Sequence, residues 1–547
     1  MIPARMNRRL LQWALTVIVL FGAVACSPVS RWVDHSAGLP ETAADTAVFV
    51  TEGDIVRHSI ESSPQTSGSA LLRVTVTDAI LLSLENNRSL LVQRLTPSVQ
   101  QTFEEQERSV FDPEIGATIS TGSTDAERLA RSGSETEAYT TNQADSRIVL
   151  EQYFPSGTTL FLEADAEMED SSLYDDRFYE TRLGMTVSQA LLRGYGTDTN
   201  LARLRQARLD TRISEYELRG FTAFLVAEVE QTYWDYALAK RQIEIVQESL
   251  KVARQQLDET RELIVVGRLA KAELAAVQAE VAAQDQALIE ARANKEATRL
   301  LLLRLLNPLG TNLWGTEIDL VHQPSIPKAQ LEEVEQHVAV AKRMSPVLNE
   351  ARLRIQRGDL ELIRTRNGLL PLLDLFITLG KSGYANAFGR SVSSIDSGGY
   401  DAEVGLSFQY PFVNRNANAL HRRAQLDRDQ FWAALENLSQ IVEVDVRTAY
   451  IEVERTKQQI DASSVTRQFD EEKLRIETEK LRVGKSTSFL VAQAQRDLLV
   501  SRIAEVQALA SYLQALTNLY RQDGSLLKRR FIQAPGGQPV ILSQSEP

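Results

Sequence analysis

Apolar residues recur every seven positions through two long stretches of the chain. In the first stretch the recurring residues are Val229, Tyr236, Ile243, Leu250, Leu257 and Ile264. In the second they are Val446, Val453, Ile460, Leu474 and Leu481, with Arg467 as a polar interruption. Sustained heptads predict long helices that pack side by side with a left-handed twist, here over about residues 200–265 and 417–482. At 1.5 Å per residue, each helix is roughly 100 Å long.

A glycine ends each of these helical patterns. Gly267 follows Val266 and precedes Arg268, and Gly484 lies between Val483 and Lys485. Glycine disfavours a helix interior and readily supplies the positive φ with which many helices end. Each glycine therefore predicts a helix-hairpin turn, after which the chain returns as a second helix, over about residues 269–306 and 486–523. Helices near 77–109 and 330–366 can stack end to end with these returning helices.

The two halves of the chain match each other at a constant offset of 217 positions. Residues 200–280 align with residues 417–497 without a gap, and Tyr233 meets Tyr450. The same offset places Gly267 on Gly484. The match predicts an internal duplication.

Between the helical stretches the pattern changes to the period of β-strands. The alternating segments are EIGATIST (114–121), RIVLEQYF (147–154), TTLFLEADAEM (158–168), TRLGMTVSQALL (181–192), PLLDLFITLG (371–380) and AEVGLSFQYPF (402–412). Alternation predicts sheets with two different faces, and the polar stretches 120–142 and 380–399 predict loops. Pro371 and Pro411 lie at strand margins, where proline is tolerated.

These strands are too few to close a barrel within one chain. After the N-terminal segment no stretch reaches the roughly 18 apolar residues that a membrane-spanning helix requires. Open strand edges cannot face lipid, so strands in a bilayer would have to be shared among several chains. Two strands per half would give twelve strands in three chains. The additional pair around Pro155-Ser156-Gly157 either enlarges such a barrel or extends outside it, so four or six strands per chain remain open.

The N-terminus has the pattern of an export signal. Arg5, Arg8 and Arg9 precede an apolar stretch over residues 10–25. The sequence Ala23-Val24-Ala25-Cys26 resembles a bacterial lipoprotein cleavage box, although Ala23 stands where leucine is usual. We expect residues 1–25 to be removed and Cys26, the single cysteine, to be lipidated. Ser27 after it favours the outer membrane, and the alternative is an ordinary signal peptide followed by an incidental thiol.

Composition and charge narrow the function classes. The 547 residues are 43% hydrophobic and 24% charged, with a net charge of −13. This charge argues against nucleic acid as a partner. The five histidines do not have metal-ligand spacing, and the sequence has no phosphate loop, GxSxG or HExxH motif. We therefore expect no catalytic site, no cofactor and no metal.

The duplicated unit of strands, long helix, Val-Gly turn and second helix resembles the TolC-like outer-membrane channel proteins. Local similarities include TDAILLSLENNRSLL, FDPEIGATIS, SQALLRGYG and the two Val-Gly turns, within residues 74–528. The resemblance implies a mostly α fold in which long antiparallel helical hairpins form a trimeric α-barrel continuous with a shared transmembrane β-barrel. It also implies that a periplasmic adaptor, itself bound to an inner-membrane pump, docks on the hairpin tips. The tip residues are Val266, Gly267, Arg268, Val483, Gly484 and Lys485.

The resemblance also indicates where the pore is narrowest. Family members commonly carry an acidic residue six positions after the second tip glycine, where this chain has Leu490. Its counterpart in the first repeat is Glu273. We expect an apolar constriction near Leu490, with Gln493 one turn on; alternatively, Phe489 and Leu490 pack between helices.

The predicted organisation is a signal peptide (1–25), a lipidated linker (26–73), two structural repeats (74–310 and 311–528) and a C-terminal tail (529–547). The predicted function is a passive trimeric exit channel of a tripartite efflux or type I secretion system, in the outer membrane and extending into the periplasm. The alternatives are a lipid-anchored periplasmic coiled-coil scaffold or binding protein, and a lipid-anchored periplasmic enzyme. The cargo stays open among small molecules, metal ions, and proteins or peptides.

Overall fold

The structure, a computed structural model, describes residues 71–129, 133, 135–308, 313–326, 331–397 and 399–542. The predicted signal peptide, Cys26 and most of the predicted linker lie outside the described residues. The chain divides into two compact units. The sheet unit comprises Glu104–Gln206 and Leu360–Gln425, and the helical unit comprises the described parts of Phe49–Phe103, Ala207–Asp359 and Leu426–Pro547.

The elements follow the predicted alternation of strands and long helices. In chain order they are β1 (Leu71–Val74), α1 (Val76–Asn86), α2 (Arg88–Ser109), β2 (Glu114–Leu129), β3 (Thr136–Phe154), β4 (Thr158–Ser171), β5 (Phe178–Ala190), α3 (Thr197–Asn200), α4 (Ala202–Val265), α5 (Glu273–Leu306), β6 (Glu317–Leu320), α6 (Val334–Met344), α7 (Pro346–Asn367), β7 (Leu372–Ala385), α8 (Phe388–Ser394), β8 (Gly399–Gln409), α9 (Arg415–Arg482), α10 (Ser488–Gln522) and α11 (Leu526–Arg529). Among the described residues, no helix combines the length and the apolar character needed to cross a membrane.

One antiparallel sheet of six strands forms the body of the sheet unit. Its order is β2-β3-β4-β5-β7-β8, so the additional pair around Pro155-Ser156-Gly157 belongs to the same sheet as the other four strands. Of the two polar stretches expected to be loops, 120–142 is mostly strand, and 380–399 contains the end of β7 and helix α8. Pairing of β2 with β3 continues out to Leu129 opposite Thr136, and β7 continues to Ala385. The expectation was wrong because a polar side chain does not stop a ladder whose backbone groups still find partners on the next strand.

The two faces of this sheet differ in chemistry, as strand alternation requires. One face carries apolar side chains on every strand, and many of them are exposed, including Ile119 at 85% and Val404 at 69%. The other face carries charged groups. Its Arg182 contacts Glu163 and lies 2.9 Å from Asp401, which ties β4, β5 and β8 together across the polar face.

The helical unit has its largest core where helices pack on a small parallel sheet. Strands β1 and β6 pair in parallel, and Tyr233 and Tyr236 of α4 are buried beside them. The Tyr236 hydroxyl donates to the Ile318 carbonyl at 3.0 Å. The helix expected over 77–109 is two helices, because Asn87 has an extended backbone and its side chain accepts from the Ser89 and Leu90 amides, capping α2.

The predicted heptad positions lie largely on buried faces. Val229, Leu250, Val446 and Val453 are buried. Arg467, the polar interruption of the second series, is accommodated by ion pairs to carboxylates, with Glu471 at 2.9 Å and Glu505 at 2.7 Å. A long side chain paired in this way can keep its charged end partly solvated while its stem packs.

The described part of the predicted C-terminal tail packs against the helical unit. Ile532 and Val540 are buried. The Val540 amide donates to the Asn349 side chain at 2.8 Å, and the Tyr216 hydroxyl donates to the Gln538 carbonyl. This segment therefore joins α4 and α7.

Candidate functional site: the two hairpin tips

The first tip is a helix end closed by a glycine in the left-handed conformation. Helix α4 ends at Val265, and Gly267 has φ of 76°. The Gly267 amide donates to the Ile264 carbonyl at 3.0 Å and the Arg268 amide to the Leu263 carbonyl at 2.8 Å. This pair of hydrogen bonds is a Schellman motif, which satisfies carbonyls that the helix end would leave unpaired.

The second tip repeats this geometry. Gly484 has φ of 73°, its amide donates to the Leu481 carbonyl at 3.0 Å, and the Lys485 amide donates to the Lys480 carbonyl at 2.8 Å. No described atom would lie within 4 Å of a Cβ on either tip glycine. Backbone conformation, rather than lack of space, is therefore the reason for glycine at both turns.

The second tip has an additional brace. The Glu477 carboxylate accepts from Lys480 at 2.7 Å and from the Ser486 hydroxyl at 2.6 Å. These two contacts lower the pKa of Glu477 below its ordinary value, with the Lys480 hydrogen bond as the larger cause. The brace holds the residues after Gly484 against the end of α9.

The side chains at both tips point away from the chain. Val266 and Val483 are each 67% exposed, and Arg268 and Lys485 are exposed as well. Neither basic residue forms an ion pair with another residue in the described ranges. Each tip thus presents one apolar and one basic side chain beside a glycine turn.

Glu273 joins the two tips to each other. One carboxylate oxygen accepts from the Ser488 amide at 2.8 Å, at the start of α10. The residue is partly buried, and Ser488 is fully buried. A carboxylate at a helix N-terminus satisfies an unpaired amide and is favoured by the helix dipole. The predicted pore residue Glu273 is therefore occupied in a contact between the hairpins of a single chain.

A second contact binds the same two helices further along. The Glu280 carboxylate is buried and accepts from Arg496 at 2.7 Å and from Gln284 at 2.7 Å. Sequence patterns did not reveal the contact of Glu273 with Ser488 or that of Glu280 with Arg496. Each contact links residues about 215 positions apart. The only sequence feature that could have indicated either contact is an acidic residue on one helix and a backbone amide or a cation on another.

The predicted constriction residues lie on an exposed face of α10. Leu490 is 43% exposed, Phe489 is 56% exposed and Gln493 is exposed, whereas Val491 and Ala494 are buried. Within one chain, Phe489 and Leu490 do not pack between helices. The structure brings Glu273 to the start of the same helix but leaves its carboxylate bound to Ser488 rather than beside Leu490.

The chain is similar in sequence to outer membrane efflux and export proteins and in structure to an outer-membrane channel. The family model for outer membrane efflux proteins matches residues 339–525. The proteases secretion protein PrtF of Dickeya chrysanthemi is 21% identical over 374 residues, which are 64% of this chain and 78% of that protein. The pyoverdine export outer membrane protein OpmQ of Pseudomonas aeruginosa is 24% identical over 344 residues, 59% of this chain and 66% of that protein. The outer-membrane channel OprN superposes with a TM-score of 0.62 at 16% identity, covering 82% of this chain and 90% of that one.

Proposed function

We propose that the chain is a passive exit channel for efflux or secretion across the outer membrane, because the family model for outer membrane efflux proteins matches residues 339–525 and the fold is that of outer-membrane channels. The observation that carries the proposal is the two-faced six-stranded sheet. An exposed apolar face backed by a charged face is the pattern of strands between lipid and water. Family and fold are those of transport channels, and the energy for transport would come from partner proteins.

We propose that three copies assemble into the channel. A sheet with two open edges cannot lie in lipid alone, because unpaired backbone groups there are too unfavourable. Helix α9 supports the same proposal, because it exposes apolar residues along its length, including Ile451, Val465 and Phe469. Exposed apolar residues along one helix are typical of a surface that is buried against a partner.

The first test is assembly and conductance. The mature protein, purified in detergent, should run as a heat-resistant trimer on gels and produce discrete conductance steps in planar bilayers. A chain that stays monomeric and stable in water without detergent would instead favour the lipid-anchored scaffold. Turnover of a substrate, abolished by one substitution, would favour the lipid-anchored enzyme.

We propose that the tips dock a periplasmic adaptor that is bound to an inner-membrane pump. The support is the repeated Val-Gly turn with an exposed basic residue beside it. Because glycine has no side chain, a partner protein can approach the backbone of the turn closely. Charge reversal at both tips (Arg268→Glu with Lys485→Glu) should reduce export while leaving trimer yield and bilayer conductance unchanged. The matched control, Arg268→Lys with Lys485→Arg, should retain export. Equal export by the two variants would refute a charged contact at the tips.

We propose that Leu490 and Gln493 line the narrowest part of the pore. They share an exposed face of α10, and an apolar ring can close a pore by excluding water. Leu490→Ser should raise single-channel conductance or open probability, and Val500→Ser, an exposed apolar residue on the same helix, serves as the control. Glu273→Gln should change conductance little, because its carboxylate is engaged by Ser488.

A two-part export assay would identify the class of cargo. PrtF is named for secretion of proteases and OpmQ for export of pyoverdine, so relatives serve both kinds of cargo. A strain lacking this chain would be assayed for dye accumulation and for loss of proteins from the culture medium. The arm that responds to complementation identifies the class.

We propose that Cys26 carries the lipid anchor, on the strength of the cleavage-box sequence. Metabolic labelling with palmitate should mark the protein, and Cys26→Ser should remove the label. Persistence of the label in that variant would refute the anchor.

A further inference from the structure

An apolar row crosses all six strands of the sheet at one level. Register places the following residues side by side: Ile115, Leu150, Leu162, Met185, Leu379 and Ala402. On the opposite face, the row through Arg147, Asp165 and Arg182 is polar. If the β2–β3 pair projected from the channel wall into water, nothing would require Ile115 and Leu150 to continue the apolar row. The continuous apolar row therefore indicates that all six strands belong to one wall.

The turn between β3 and β4 is fixed to the rest of the sheet unit. The Asn200 side chain donates to the Pro155 carbonyl at 3.0 Å and to the Gly194 carbonyl at 2.7 Å. The Ala190 amide, at the end of β5, donates to the Gly157 carbonyl at 2.9 Å. A Cβ on Gly157 would lie 2.2 Å from the Gly194 carbonyl oxygen, and its φ is 86°. This contact explains the glycine of the PSG turn, whereas Gly194 is explained by its own φ of 88°. The contact also anchors the β3–β4 pair at its base.

The number of strands decides how copies can join. The outer strands β2 and β8 each have one edge with no partner strand among the described residues. Because neighbouring strands alternate in direction and their number is even, β8 runs antiparallel to β2. The β8 edge of one copy can therefore pair with the β2 edge of the next without breaking the alternation. All six strands have at least the roughly 9–11 residues that a membrane crossing needs.

Apart from one end, the described residues leave the apolar face exposed or partly exposed. Helix α8 lies against this face beside Gly383, where a Cβ would lie 2.1 Å from the Ser391 carbonyl oxygen. Away from that end, Ile115, Leu379 and Leu406 are exposed. The covered end is the one remote from the Pro155–Gly157 turn.

We infer that three copies close an eighteen-stranded barrel, with seams between β8 of one copy and β2 of the next. This inference rests on the proposed trimeric channel and goes further, because a chain with four wall strands would give twelve. Barrel diameter grows roughly in proportion to strand number, so the wall encloses a lumen about half again as wide. Barrels of this size leave an aqueous channel. The wall then admits bulky cargo, and selection by size falls to the hairpin tips.

Cysteine cross-linking between strand edges tests the seam, and Cys26 is the only native cysteine. Directly opposed Cβ atoms on antiparallel strands are about 5 Å apart, near the reach of a disulfide. Val404→Cys on β8 would be combined with single cysteines on β2 or on β4, all on the apolar face. The positions are Ile115, Ala117 and Ile119 on β2, and Leu160, Leu162 and Ala164 on β4. Leu183→Cys on the interior strand β5 is the matched control.

The eighteen-stranded barrel predicts oxidised dimer and trimer bands for at least one β2 position and none for the β4 or β5 positions. If β2 and β3 lay outside the wall, β8 would meet β4 of the next copy, and the β4 series would cross-link instead. That result, or the absence of any β2 link in chains that form trimers before oxidation, would overturn the inference and leave the exit channel standing. Absence of trimers in the unsubstituted protein would refute the exit channel itself.

Discussion

Removal of the Glu273 carboxylate should loosen the start of α10. In the structure this carboxylate accepts from the buried Ser488 amide at 2.8 Å. Glu273→Ala leaves that amide without its partner. Loss of a side-chain cap at a helix N-terminus costs about 1 kcal/mol, and loss of the charge near the helix dipole costs a further 0.3–1 kcal/mol or so. Because Glu273 is only partly buried, we expect a total of about 1–2 kcal/mol, or about a 5- to 30-fold rise in local opening.

Hydrogen exchange measured by mass spectrometry on the full protein provides the assay. Peptides covering residues 486–492 should exchange about 5- to 30-fold faster in Glu273→Ala, in proportion to that free energy. Glu273→Gln should give an intermediate rate, because an amide oxygen still accepts but carries no charge. Peptides ending at Arg268 should not change, since the Schellman bonds of the first tip do not involve Glu273. Unchanged exchange at Ser488 in the alanine variant would show that the contact contributes nothing to holding the tips together.

Three further predictions concern other parts of the chain. Gly157→Ala should sharply reduce the amount of trimer in the outer membrane, because its Cβ would clash with the Gly194 carbonyl; Gly116→Ala, with no described atom within 4 Å, should have little effect. Arg496→Ala should lower the free energy of unfolding of the assembled protein, measured in urea, by about 2 kcal/mol. This is less than the roughly 3–5 kcal/mol for breaking a fully buried ion pair, because Arg496 is partly exposed. Adding Glu280→Gln should recover part of the loss. The lowered pKa of Glu477 means that its carboxylate stabilises the second tip above the ordinary glutamate value near 4.3 and that this contribution is lost as pH falls through the lower folded value. Exchange near Ser486, corrected for its intrinsic pH dependence, should therefore rise between about pH 5 and pH 3, but not in Glu477→Gln.

The contacts that join the two hairpins near their tips involve the same helix as the proposed constriction. Two contacts, through Glu273 and Glu280, hold α5 and α10 of one chain together near the tips. The exposed face with Leu490 and Gln493 lies on the same helix, α10. Any change at the tips that breaks these contacts would therefore act on the helix that bears the proposed constriction.

Local sequence signals determined the long helices, their turns and the two-faced strands. A heptad series and a glycine that can adopt positive φ act within a few residues of each other, so Val229 to Leu250 and the turns at Gly267 and Gly484 were readable from the chain alone. Strand alternation likewise predicted an apolar and a polar face, because side chains on a strand alternate regardless of what they pair with.

Tertiary structure alone decided which segments meet. The polar stretch 120–142, expected to be a loop, is mostly strand, because ladder pairing depends on the neighbouring strand rather than on side-chain polarity. The contacts of Glu273 with Ser488 and of β1 with β6 join segments more than 200 residues apart. Hydrophobic periodicity specifies which face of an element is buried but carries no information about the partner that buries it, so these contacts emerge only when the whole chain is packed.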